Sequence, residues 1–264
     1  MKELKINTTI GGSTYSIEQL DFIQYQREKH VLQEMIHLGA EVKDGDKNLT
    51  YDDINYLSTE DTRRLIVKTK AELGEQGTLN LYKDSIKKCN KLWKDIIRDY
   101  KDEDGYKSAH AYMNIEGITI QELQESIRSA VNGEGTDALS TNPDHFTDIK
   151  TEGLARNEKC GVEVMGMYGG PLPVIVVFDP SMTGPAVVES GWKIMIAGTS
   201  KLMDGTPRHD IAVHQVRPKE NGFDLKMEVH FPKNTPIEMV KGHQVHLAIE
   251  FLEGVRNAFN RIQK

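Results

Sequence analysis

The run Phe223-Asp-Leu-Lys-Met-Glu-Val-His-Phe231, followed after a short linker by Ile237-Glu-Met-Val-Lys-Gly-His-Gln-Val-His-Leu-Ala-Ile-Glu-Phe-Leu-Glu-Gly-Val255, decides the fold class. The first run alternates apolar and polar residues, the period of a half-buried strand. The second places Ile237, Val240, Ile249, Leu252 and Val255 at helical spacing. Upstream, β-like segments are expected at about 161–168, 173–178, 193–199 and 210–216, and Glu220-Asn221-Gly222 sits between two alternating runs as a hairpin turn would. Successive strands with short turns and then one long helix predict an α+β fold. Its antiparallel sheet would carry the helix on one face and leave a cavity between them.

The first half reads differently. Helices are expected from Ser16 to about Gly39, from the Ser58 cap to Gly74, over about 79–100, and from Thr119 to Val131, where Thr119 and Glu122 have capping-box spacing. The glycine-rich breaker Asn132-Gly-Glu-Gly-Thr-Asp137 then marks the expected boundary between a helical N-terminal extension, 1–132, and a second domain, 133–264. Asp44-Gly-Asp46-Lys-Asn48 starts like a calcium loop. It has Leu49 where the sharp turn needs glycine and Asn55 where the bidentate glutamate belongs, so that reading is rejected.

Composition excludes several classes. The 264 residues carry 33 Lys+Arg against 40 Asp+Glu, a formal charge of −7 that disfavours a phosphate backbone, so no nucleic-acid partner is expected. Mean hydropathy is −0.51 and no apolar run approaches the ~20 residues of a membrane span, so no membrane partner is expected either. The start, Met1-Lys-Glu-Leu-Lys-Ile, lacks a signal-peptide pattern, from which a cytoplasmic location is expected. Two cysteines, Cys89 and Cys160, supply neither a disulfide framework nor a CxxC zinc signature. No P-loop, GxGxxG, GxSxG or HExxH is present.

Any metal must therefore use histidines and carboxylates. His246 and Glu250 stand four residues apart on the C-terminal helix and share a face. Glu163 interrupts the apolar Val162-Glu163-Val164-Met165, and His145 follows the breaker Asn142-Pro143-Asp144. Two imidazoles and two carboxylates make an N/O donor set suited to zinc, with iron or manganese as alternatives. His209 and His243 are alternative ligands. His214, in Val213-His214-Gln215-Val216-Arg217, could transfer protons near neutral pH. Each of these residues also has a structural reading, as a surface, capping or core side chain.

In order along the chain, Asn142-Pro143-Asp144-His145, Val162-Glu163-Val164-Met165-Gly166, His214-Gln215-Val216-Arg217 with Asn221-Gly222, and His246-Leu-Ala-Ile-Glu250 resemble the diacetylphloroglucinol and phloretin hydrolase family over about the last 130 residues. The resemblance implies a helix-grip fold, like that of plant pollen-allergen and steroid-transfer domains, with a helical N-terminal extension. It implies a Zn2+ ion held by His145, Glu163, His246 and Glu250, with His214 as the catalytic histidine. The implied reaction is hydrolysis of the carbon–carbon bond between an acyl group and a phenolic ring. The chain departs from that family at Thr141-Asn142, where a tryptophan–histidine pair is common, at Asp137 in place of a substrate-binding tyrosine, and at Glu228-Val229-His230-Phe231. Tyr168, Tyr112, Tyr106 and His230 are the substitutes expected to hold a phenolic substrate. A homodimer is also expected. Two other functions stay open: a non-catalytic module binding an apolar small molecule, and a zinc-dependent ester or amide hydrolase.

Overall fold

Two alternating runs pair antiparallel along their whole length, from Tyr106 opposite Pro232 to Glu116 opposite Gly222. Their inward residues, Ala109, Ala111, Met113 and Ile115 on one and Leu225, Met227, Val229 and Phe231 on the other, are buried. The computed structural model describes residues 3–131, 137–150, 152–166 and 168–263. Their order is β1 (Lys5–Ile10), β2 (Ser13–Tyr15), α1 (Ile17–His37), β3 (Lys43–Asp44), β4 (Lys47–Asn48), α2 (Thr59–Leu81), α3 (Lys83–Ile97), β5 (Tyr106–Glu116), α4 (Ile120–Val131), α5 (Asp137–Thr141), β6 (His145–Asp148), β7 (Glu158–Glu163), β8 (Leu172–Phe178), β9 (Lys193–Leu202), β10 (Pro207–Lys219), β11 (Gly222–Pro232) and α6 (Ile237–Ile262). The architecture is α+β: a nine-stranded antiparallel sheet ordered β2-β1-β5-β11-β10-β9-β8-β7-β6, with the long C-terminal α6 packed against it. No helix among the described residues is long and apolar enough to cross a membrane.

The sheet curls around α6. Near one edge β1 packs on α6, and at the other edge His145 of β6 reaches His246 of α6. Both contacts fall at one turn of the helix, since a Cβ on Gly11, just after β1, would stand 3.6 Å from Gln244 Oε1, two residues before His246. In a flat sheet seven strand spacings would hold β1 and β6 about 34 Å apart, well beyond the ~10–12 Å width of a helix. The enclosed core joins the inward faces of β5 and β11 to Met239, Val240, Leu247, Leu252 and Val255 of α6. A second core lies between Val31, Leu32 and Met35 of α1, Leu65 and Ile66 of α2, and Phe146, Cys160, Val162, Val164 and Ile175 of β6, β7, β8 and the residues after β7.

The first half is thus not a purely helical extension: β1, β2 and β5 belong to the same sheet as β6–β11. Small alanines and polar threonines and asparagines carry most of that alternation, which leaves a weak hydrophobic signal. Residues 132–136 of the expected breaker lie outside the described residues, as does the side chain of Asp137. The helix expected to stop at Gly74 instead kinks there, at φ 57 and ψ −164, and resumes to Leu81. The caps expected from the sequence are present: the Ser58 hydroxyl oxygen accepts from the Asp61 amide, and Thr119 and Glu122 bond reciprocally; Ser16 and Gln19 form a further capping box.

One close approach fixes α6 against the strand side that carries Glu163. A Cβ on Gly242 would stand 1.8 Å from the Gly166 carbonyl oxygen, and one on Gly166, at φ +68, would stand 2.3 Å from that of Met239. Only glycine at both positions lets backbone meet backbone there. Gly254, on the same helix, has nothing within 4 Å of the equivalent position. Gly242→Ala is therefore expected to cost at least about 2 kcal/mol, while Gly254→Ala adds roughly 0.5–1 kcal/mol. Thermal or denaturant unfolding of the two variants checks this, and equal effects would contradict the packing.

Candidate metal centre

The register of one strand pair begins the site. His145 opens β6 directly opposite Glu163, the last residue of β7, and both side chains face the interior. Their Nε2 and Oε2 atoms stand 3.5 Å apart. From α6, His246 brings its Nε2 to 3.3 Å from His145 Nε2, and Glu250, one turn on, places Oε2 3.7 Å from the same His246 nitrogen. His145, Glu163 and His246 each offer one donor atom within 4.8 Å of the others, a group that could hold a metal ion; Glu250, the expected fourth ligand, stands beside His246 but outside that group. Ligands held at zinc distances in a tetrahedron stand about 3.3 Å apart, so these separations suit the donor set.

The electrostatics point the same way. Burial raises the Glu163 carboxyl above its ordinary range despite His246 and Arg208, and burial likewise raises Glu250. Glu250 is 36% exposed, and the space it faces is the cavity. Burial works against the charged form of His246, yet its neighbours Asp144, Glu250 and Glu163 win and raise it. Asp144 is already ion-paired with Arg27, whereas Glu163 and Glu250 stand by the His145 and His246 imidazoles. A divalent cation there would stabilise both carboxylates in their charged form.

The group opens into a cavity of about 410 Å³ between sheet and α6, whose apolar walls include Val174, Val176, Phe178, Ile196, Leu247 and Phe251. His214 lines it from β10, its ring edge-on to Phe251 at 5.0 Å, with no hydrogen-bond partner at Nδ1 among the described residues. Burial pushes its pKa down to about 4, so it stands neutral at pH 7. His243 also lines the cavity, stacked on His246 at 4.8 Å and held neutral by burial and by that neighbour, without joining the donor group. His209, the other alternative ligand, pairs with Asp102 at 3.1 Å outside the cavity lining.

The expected substrate-clamping residues do not line this cavity. His230 follows the inward Val229 and points to the opposite sheet face, where Nδ1 meets the Ser108 hydroxyl at 2.7 Å. Tyr112 lies on that face against Trp192, Tyr106 packs edge-on to Tyr100, and Tyr168 is partly exposed. The polar wall instead includes Thr147, Ser200 and Asp210. Ser200 donates through its hydroxyl to Asp210 at 2.7 Å, and the buried Arg208, stacked on Trp93, stands 3.2 Å from the same carboxylate.

Sequence reasoning missed three supporting residues. Asp144 was visible beside His145 but had no evident partner; Arg27 donates to it through Nε at 2.7 Å and ion-pairs through Nη2 at 2.6 Å. Lys70 is fully buried and donates to the carbonyls of Pro143 at 2.8 Å and His145 at 2.5 Å. Its signal was present: Leu65, Ile66, Thr69, Lys70 and Leu73 form a helical stripe in which a lysine needs buried acceptors.

No protein-family model matches this chain, and no curated protein does. Among solved structures, the chain is similar to the C-terminal domain of the Bacillus licheniformis BlaR penicillin-receptor at 9% identity, over 96% of this chain and 91% of that one. The TM-score is 0.16, a likeness that carries no argument.

The neutral state of His214 has a consequence for stability. With a folded pKa of about 4 against an ordinary 6.5, the unfolded chain binds more protons between those values. Stability therefore rises with pH across that window and falls on acidification. Between pH 7 and pH 4.5 the metal-free wild type is expected to lose about 2 kcal/mol more than His214→Leu does. Denaturant titrations at both pH values measure the difference, and equal losses would place His214 in water.

Proposed function

We propose that the chain is a zinc-dependent hydrolase that cleaves the carbon–carbon bond between an acyl group and a phenolic ring, built on a helix-grip fold. The convergence of His145, Glu163 and His246, with Glu250 3.7 Å from His246 and a neutral His214 on the same cavity, supports this reading. The order β5, two helices, six successive strands and then α6, with β5 closing onto β11, supports the helix-grip part. Nitrogen and oxygen donors of this kind suit zinc, the redox-inert ion that the resemblance implies.

The four side chains would hold zinc, which when bound supplies Lewis acidity to polarise the acyl carbonyl. The apolar walls fit an aromatic ring and limit the water around it. Neutral His214 is a proton acceptor at pH 7. It takes a proton from the attacking water or a substrate hydroxyl and returns it to the ring carbon as the carbon–carbon bond breaks. Overall, one water adds oxygen to the acyl carbon and hydrogen to the ring carbon, giving a carboxylic acid and a deacylated phenol. The displaced tyrosines leave phenol hydroxyls to Thr147, Ser200 and Asp210, which favours, as a second reading, the same zinc site acting on an ester or amide.

Incubation with phloretin and acetylphloroglucinols, monitored by acid release, tests the substrate. Turnover is expected in the zinc-loaded protein, is lost on chelation and returns with zinc. His214→Ala is expected to lower kcat by about 10²–10⁴ while zinc stays bound. Zinc binding without acid release from any of these ketones, but with release from aryl esters, would favour the second reading. A folded, zinc-free protein that retains apolar ligands would leave only a binding module.

A further inference from the structure

The metal group is not held by the sheet and α6 alone. His246 turns its Nε2 toward His145 and Glu250, and its other ring nitrogen, Nδ1, buried and without a hydrogen-bond partner among the described residues, faces Asp144 Oδ2 at 3.8 Å, within ion-pair range but longer than a hydrogen bond. Asp144 is 2% exposed, and its other oxygen takes both contacts from Arg27 of α1. The segment before β6 is pinned on every side. Asn142 Nδ2 donates to the His246 carbonyl at 3.1 Å, the Asp144 amide donates to Asn142 Oδ1 at 2.8 Å, and Lys70 of α2 holds the carbonyls of Pro143 and His145.

We infer that Arg27, through Asp144, is a positioning residue for the metal centre: it orients the carboxylate that fixes which nitrogen of His246 faces the ion, so the N-terminal helices are part of the site. This rests on the metal-site reading of the previous subsection. Asp144 is the carboxylate that His246 Nδ1 faces, so a small closing of that 3.8 Å gap lets Nδ1–H donate to it, and a histidine with its proton there presents Nε2 as the ligand, in one tautomer and one ring orientation. Asp144 alone, buried without a cation, would be costly and free to turn; Arg27 supplies the charge and the direction. Arg27 lies 117 positions from Asp144 in the chain, so only the docked α1 brings them together.

Zinc affinity of the full-length protein, measured by competition with a chromophoric chelator, tests the inference. The variants are Arg27→Ala, Arg27→Lys and a control, Arg63→Ala, whose guanidinium bridges Glu28 of α1 to Glu253 of α6 and so ties the same helices together through carboxylates that are not among the donors. Arg27→Ala is expected to weaken zinc binding by about 10–100-fold, Arg27→Lys to recover most of it, and Arg63→Ala to leave it unchanged. Wild-type affinity in Arg27→Ala overturns the inference while the metal centre stands; a wild type that binds no zinc overturns both. Nitrogen-15 NMR of the zinc-loaded wild type needs no variant: the proton of His246 is expected on Nδ1, and a proton on Nε2 overturns the inference even if a variant fails to fold.

Discussion

Three carboxylates enclosed with three imidazoles under a curved sheet make up the constraint on which this structure depends. Asp144, Glu163 and Glu250 share that enclosure with His145, His246 and His243, and water does not solvate them as it would at a surface. Charges taken out of water are tolerated only when paired and directed. Asp144 shows the solved half of the problem: burial alone would raise it, yet His246 and Arg27 hold it down to about 2. Glu163 and Glu250 show the unsolved half, since both remain raised. The remaining need is for positive charge beside these two, where His145 and His246 also direct nitrogen lone pairs.

The surrounding fold is arranged to keep that enclosure in register. Strand pairing sets His145 opposite Glu163, the contact between Gly166 and Gly242 sets α6 at backbone distance from the end of β7, and the helical periodicity of α6 aligns His246 with Glu250. The α1–α2 layer grips the loop before β6 from outside, through Arg27 and Lys70. A buried lysine bonded to carbonyls replaces the regular ladder that the irregular segment 142–145 lacks. His214 stands apart from this charged group, on β10, where apolar neighbours keep it neutral and available as a base.

The sequence made some of this legible for definite reasons. The strands around Asn221-Gly222 and the long final helix were readable because alternation and helical spacing are strong there, and His246 with Glu250 because a helix converts spacing four into proximity. Glu163 stood out as a carboxylate in an apolar strand. The strand Tyr106–Glu116 was not readable, since its inward Ala109 and Ala111 carry little hydrophobic signal. The locations of Tyr112 and His230 were hidden because a single-residue shift of strand parity moves a side chain to the other face of the sheet. Arg27 was invisible for a simpler reason: an ion pair spanning more than a hundred residues leaves no local pattern.

Zinc-edge X-ray absorption of the zinc-loaded protein addresses the centre most directly, because it reads the atoms around the ion itself. The account predicts one zinc per chain with nitrogen and oxygen at about 2.0–2.2 Å and the outer-shell signature of two imidazoles. A sulfur scatterer at about 2.3 Å, which would have to come from a cysteine, or a spectrum of fully hydrated zinc, would contradict it.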